Sequence, residues 1–152
     1  MKVKAESVEP RKVKSNYPEP YASRMNGRTK RALGDFFGIT KFGVNLTTLR
    51  PGSQSALLHQ HSKQEEFIYS LSGHPTLVTS EGKEKLSPGD CCGFTPNGPA
   101  HHLINETDEV VTYLEVGDRE PGDEARYPED DLKATLDAAG KWIFTRKSDD
   151  SN

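Results

Sequence analysis

Residues 52–73 read GSQSALLHQHSKQEEFIYSLSG, and the placement of His59, His61 and Glu66 in this stretch decides how the rest of the chain is read. Side chains two apart on an extended strand share a face, so His59 and His61 can aim two ring nitrogens at one point. Glu66, on the following strand, adds an oxygen donor. A second stretch, residues 89–105, reads GDCCGFTPNGPAHHLIN and supplies a third imidazole, His101, just after a Pro96-Asn97-Gly98-Pro99 turn. Three imidazoles and one carboxylate form a mixed nitrogen and oxygen set that suits one divalent ion such as Fe, Mn, Zn or Ni. Glu65 and His102 compete for these roles, but neighbours on a strand face opposite ways. Only one residue of each neighbouring pair can therefore join the cluster.

Outward from these stretches the pattern is β. Glu66 to Leu71, Pro75 to Thr79, Cys91 to Thr95, Ala100 to Ile104 and Val110 to Val116 are short apolar-rich runs. They are bounded by Arg50-Pro51-Gly52, Ser72-Gly73, Glu81-Gly82 and Ser87-Pro88-Gly89-Asp90, each a turn signal. Short strands at this spacing indicate a sandwich or closed barrel. Two further strands are expected between Gly34 and Leu49. After Gly117, the segment Pro128 to Ala139 has acids in its first turn, Leu132 and Leu136 four apart, and Gly140 beyond its end, which predicts one short helix. Trp142, Ile143 and Phe144 then form an apolar segment read as a strand or plug.

The 152 residues suit a single domain, with residues 1–20 as a flexible or partner-dependent N-terminal arm and residues 21–152 as the barrel. With 32% hydrophobic residues and no unbroken apolar run, the chain offers no membrane span. The N-terminal stretch lacks the apolar segment of a secretory signal, so a cytoplasmic location is expected. Cys91 and Cys92 are adjacent and cannot make a disulfide framework. Net charge is uneven: residues 1–50 carry eleven Lys/Arg against four Asp/Glu, and the remainder nine against nineteen. The cluster Arg24, Arg28, Lys30 and Arg31 could serve as a phosphate or nucleic-acid patch. The preferred reading sets these cations against the acidic remainder of the same subunit or of a dimer partner, with no nucleic acid bound.

The two stretches resemble the motifs of the cupins, small β-barrels of the jelly-roll (double-stranded β-helix) type. The first motif reads Gly52, SQSALL, His59-Gln60-His61, SKQE, Glu66, FIYSLS, Gly73; the second reads Gly89, DCCGFT, Pro96-Asn97-Gly98, PA, His101, HLI, Asn105. In each, the first spacer is one residue longer than the usual pattern. The resemblance covers about residues 45 to 117 and implies that His59, His61, Glu66 and His101 are the metal ligands, in agreement with the strand geometry. Glu66 and not Glu65 keeps the motif's six-residue spacing to Gly73, and with His101 a ligand, alternation directs His102 away from the cluster. It also implies a homodimer, and it extends to small bacterial cupins similar to sugar-phosphate isomerases or dioxygenases.

If those four residues face inward, alternation places Leu57, Ile68, Ser70 and Leu103 around them, giving a largely apolar substrate pocket about one charged point. Neutral imidazoles and one carboxylate leave a divalent ion with a net charge of about +1 and, in octahedral geometry, two adjacent open positions. A small oxygen-rich substrate such as a hydroxyketone or 2-oxo acid can chelate there. Oxygenase-type or lyase-type chemistry is the favoured expectation. A sugar-phosphate isomerase is an alternative, but it requires a base and phosphate-binding cations that the sequence does not place in the lumen. The other alternative is a cupin that binds a small ligand or sugar without turnover.

Overall fold

A computed structural model describes residues 1–151. Twelve strands form its framework: β1 Arg28–Ala32, β2 Phe42–Leu49, β3 Gln60–His61, β4 Glu66–Ser72, β5 Thr76–Thr79, β6 Gly82–Lys85, β7 Cys91–Phe94, β8 His101–Ile104, β9 Val111–Asp118, β10 Glu124–Arg126, β11 Lys133–Leu136 and β12 Trp142–Thr145. One layer is a five-stranded sheet in the order β1-β2-β9-β4-β7. The other is built from two smaller sheets, β12-β11-β10-β3 and β6-β5-β8. An isolated antiparallel bridge between His59 and His101 joins them, with backbone hydrogen bonds of 3.3 and 2.8 Å in the two directions. The result is an antiparallel jelly roll, as the motifs imply. Among the described residues, no helix is long and apolar enough to cross a membrane.

Two apolar clusters fill the space between the layers. Leu49, Ile68, Leu86, Leu103, Val111 and Tyr113 form one. Met25, Leu57, Ala125, Tyr127, Leu132 and Ala134 form the other, with Tyr17, Tyr21, Trp142 and Phe144 packed against it.

Two expected elements differ. The helix predicted over Pro128 to Ala139 is absent; Lys133–Leu136 is instead a strand that pairs with both β10 and β12. Leu132, Ala134 and Leu136 are all buried while Thr135 is exposed. That is a period of two, and leucines four apart satisfy it as well as they satisfy a helical turn. Of the two strands expected between Gly34 and Leu49, only β2 forms, and Leu33–Phe36 is a single helical turn, α1. Gly34 is buried there, and a Cβ on it would lie 3.2 Å from the Val44 backbone nitrogen.

Residues 1–20 lie along the barrel. The Arg11 amide donates to the Lys30 carbonyl at 2.8 Å, Arg31 donates to the Val8 carbonyl, and Val8 is buried. Tyr17 meets Tyr127 and Phe144 edge-to-face, with centroids 5.8 and 5.6 Å away. Buried Arg28 ties the arm down through the Lys14 carbonyl at 2.7 Å and also donates to the Ser55 carbonyl. Arg24 pairs with Asp130 at 2.6 Å. The basic cluster is thus engaged within its own subunit.

Candidate metal centre

The antiparallel bridge that joins the two small sheets also brings His59 and His101 side by side, with ring centroids 4.7 Å apart. His61 follows two residues along, and β4 brings Glu66 across from the other layer. Donor atoms of His59, His61 and Glu66 lie within 4.8 Å of one another. Glu66 Oε2 is 3.3 Å from His59 Nε2, 3.5 Å from His61 Nε2 and 2.7 Å from His101 Nε2. Adjacent ligands bound at about 2.1 Å to one ion would stand about 3 Å apart, so His59, His61 and Glu66 suit a shared cation, while His101 falls outside that group and meets Glu66 through its 2.7 Å contact. The cluster sits inside the fold, with the three imidazoles at most 10% exposed and Glu66 at 30%.

Each ring is held by its other nitrogen. His59 Nδ1 lies 2.8 Å from the Leu57 carbonyl, His61 Nδ1 lies 2.6 Å from Asp123 Oδ2, and His101 Nδ1 lies 3.3 Å from the Pro99 carbonyl. A proton donated from Nδ1 to such an acceptor leaves Nε2 as the ligand atom, the arrangement usual around metals. Aromatic packing fixes ring tilt as well. Phe94 stacks on His101 at 3.5 Å with 4° between planes, and Trp142 lies 5.9 Å from His61.

Asp123 is the supporting residue that sequence reasoning missed. It is fully buried, and besides His61 it accepts from the Lys63 and Gln64 amides at 2.8 and 3.1 Å. Burial alone would raise its carboxyl, but the hydrogen bond from His61 and those from the amides hold it below the ordinary range. Burial likewise opposes charge on His61, yet Asp123 and Glu66 outweigh it and lift its pKa to about 9. The only local hint is Pro121-Gly122-Asp123, which reads as an ordinary turn.

The cluster opens on a cavity of about 250 Å³. Of the four residues expected to line the pocket, Ile68 does so, whereas Leu57, Ser70 and Leu103 are buried and do not reach it. Nor is the pocket largely apolar. Arg11, Arg28, Lys30 and Glu115 are in its wall, with Tyr17 and Tyr127. Lys30 Nζ pairs with Glu115 Oε1 at 2.7 Å, with side-chain exposures of 18% and 20%. Burial would raise the Glu115 carboxyl, but the adjacent Lys30 ammonium more than compensates and keeps it low. Burial also lowers Lys30. Of the competing residues, His102 bonds the Ala56 carbonyl at 2.8 Å and Glu65 is exposed.

A cupin domain profile matches residues 45–117. Among solved structures, a sugar phosphate isomerase from a cupin superfamily, from Silicibacter pomeroyi, is 39% identical over 97% of this chain and 94% of its own, with a TM-score of 0.90. The chain belongs to the cupin superfamily. A putative sugar phosphate isomerase from Acidithiobacillus ferrooxidans is 29% identical, over 88% of this cupin and 92% of that chain, with a TM-score of 0.74. The polyketide cyclase RemF from Streptomyces resistomycificus shares the fold at 22% identity and a TM-score of 0.64, over 79% of this chain and 80% of its own. Comparison with curated proteins gives no match.

Proposed function

We propose that this cupin is a metal-dependent enzyme acting on a small, oxygen-rich, anionic substrate, and that it exchanges carbonyl and hydroxyl groups on a sugar phosphate. The observation that carries this reading is a single cavity that holds both the four metal donors and the cations Arg11 and Lys30. A bound divalent ion would supply Lewis-acid polarisation of a carbonyl oxygen. The chain's own residues do the rest. Arg11 attracts and orients the anionic end while Lys30 is paired with Glu115, Asp123 and Phe94 hold His61 and His101 in place, and Tyr17 of the arm covers one side.

Oxygenase and lyase chemistry fit the same four donors. The cations supply the phosphate-binding charge that an isomerase requires. The likeness to the Silicibacter pomeroyi isomerase over nearly the whole chain supports the same choice. Protein loaded separately with Mn, Fe, Zn or Ni, incubated with a panel of aldose and ketose phosphates and followed by NMR, tests this. Interconversion that stops on chelation is expected. Substrate loss coupled to oxygen uptake would show an oxygenase, and saturable binding without turnover would show a ligand-binding cupin.

We also propose that two copies pair through the outer face of the five-stranded sheet, where Phe67, Tyr69 and Leu71 stand 40–42% exposed. Soluble monomers seldom leave such contiguous apolar surface open.

A further inference from the structure

Opposite charges on the inner face of a sheet are costly to place there, because each loses hydration that the pair only partly restores. Lys30 and Glu115 occupy that face. Ile68 lies directly opposite Glu115 in the β4–β9 register, and Glu66 lies two residues away on the same strand. Side chains so related share a face at a diagonal separation of about 7–8 Å. Glu115 and the metal donor Glu66 therefore flank one end of the cavity, at a distance a substrate of a few carbons can span.

The two carboxylate oxygens of Glu115 are in different situations. Lys30 Nζ at 2.7 Å, Thr47 Oγ1 at 3.0 Å and Asn45 Nδ2 at 3.2 Å all converge on Oε1. Oε2 has no hydrogen-bond partner among the described residues, and Glu115 lines the cavity. A carboxylate anchored through one oxygen and open at the other is ionised and placed to accept a proton from something in that cavity, though its pairing with Lys30 weakens it as a base.

We propose that Glu115 is the proton-transfer group of this site, with Lys30, Thr47 and Asn45 positioning it. This rests on the isomerase reading above. Glu115 removes the hydrogen on the carbon next to the substrate carbonyl. The C–H electron pair becomes the carbon–carbon double bond of an enediol, and the carbonyl π pair moves to oxygen, which takes a proton from solvent water. The enediol's other hydroxyl then gives its proton back to solvent, its O–H pair forms the new carbonyl, and the double-bond pair takes the proton from Glu115 at the former carbonyl carbon. Carbonyl and hydroxyl have changed places, and no oxidant or co-reactant is consumed.

The test compares wild type, Glu115→Gln and Glu115→Asp in D2O, loaded with manganese, using the aldose and ketose phosphate panel. Wild type is expected to leave deuterium on the carbon beside the carbonyl. Glu115→Gln is expected to lose at least about 100-fold in kcat and all exchange, with KM changed by less than about threefold and manganese affinity by calorimetry unchanged. Glu115→Gln that retains more than about a tenth of wild-type kcat would overturn the assignment while leaving the isomerase reading intact. No turnover by wild type on any sugar phosphate would overturn both. If Glu115→Gln does not melt cooperatively, Glu115→Asp carries the test, since it keeps a charge for Lys30 and withdraws the carboxylate by one methylene. A kcat loss of at least about tenfold at unchanged manganese affinity would support the role, and full activity would overturn it.

Discussion

Replacing Asp123 takes from His61 the partner of its Nδ1 and from the Lys63 and Gln64 amides their acceptor. Loss of such an outer partner lowers metal affinity by about 10–100-fold in comparable sites. Asp123→Asn is therefore expected to weaken manganese binding in that range by calorimetry, and unchanged affinity would show that His61 is oriented by other means. Glu115 makes a separate, pH-dependent contribution. Its folded pKa lies below its unfolded one, so the ionised group stabilises the fold above about pH 4.3 and that contribution is lost as pH falls through the lower folded value. Glu115→Gln should cost about 2 kcal/mol at pH 7 by urea denaturation, because it leaves Lys30 mostly buried without its counter-charge. The gap from wild type should close as pH falls through the depressed pKa of the folded carboxyl. A gap that stays constant with pH would show that the charge of Glu115 contributes nothing.

At the level of strands and turns, the motif glycine Gly73 closes β4 with φ at +76°. A Cβ there would stand 2.7 Å from Val111 Cγ1 and 3.0 Å from the Val110 carbonyl. Gly73→Ala thus combines left-handed backbone strain with overpacking, and a loss of about 2–4 kcal/mol in denaturant stability is expected. Wild-type stability in this variant would mean that the turn relaxes freely. Elements punctuated by such turns were legible from sequence: Glu66–Ser72, Cys91–Phe94 and His101–Ile104 form within a residue or two of expectation. The alternation that groups His59, His61 and Glu66, with His101 against Glu66, was legible for the same reason, since histidine and glutamate mark a phase. β11 was not, because Leu132 and Leu136 fit both periods. The phase of β9 was also hidden. Val111, Tyr113 and Glu115 lie on one face and Thr112, Leu114 and Val116 on the other, and both sets contain apolar residues. The charged wall of the cavity therefore could not be read until β4 and β2 set the register.

For the molecule as a whole, the arm and the outer sheet face are the parts a single chain leaves to be explained. Phe67 pairs with Val116 and Tyr69 with Leu114 across β4 and β9, so the exposed residues of β4 border two half-buried apolar side chains. Sedimentation at micromolar concentration is expected to give a dimer, and Phe67→Glu is expected to shift it to monomer with the metal content retained. A wild-type monomer would remove the proposal. The arm brings Arg11 and Tyr17 to the cavity from the same chain, so deleting residues 1–18 should impair catalysis on sugar phosphates more than it impairs metal binding. The most direct measurement of the central claim is an anomalous difference map from crystals soaked in manganese. One peak at about 2.0–2.3 Å from His59 Nε2, His61 Nε2, His101 Nε2 and a Glu66 oxygen is predicted. No peak between these side chains, or one bound elsewhere, would contradict it.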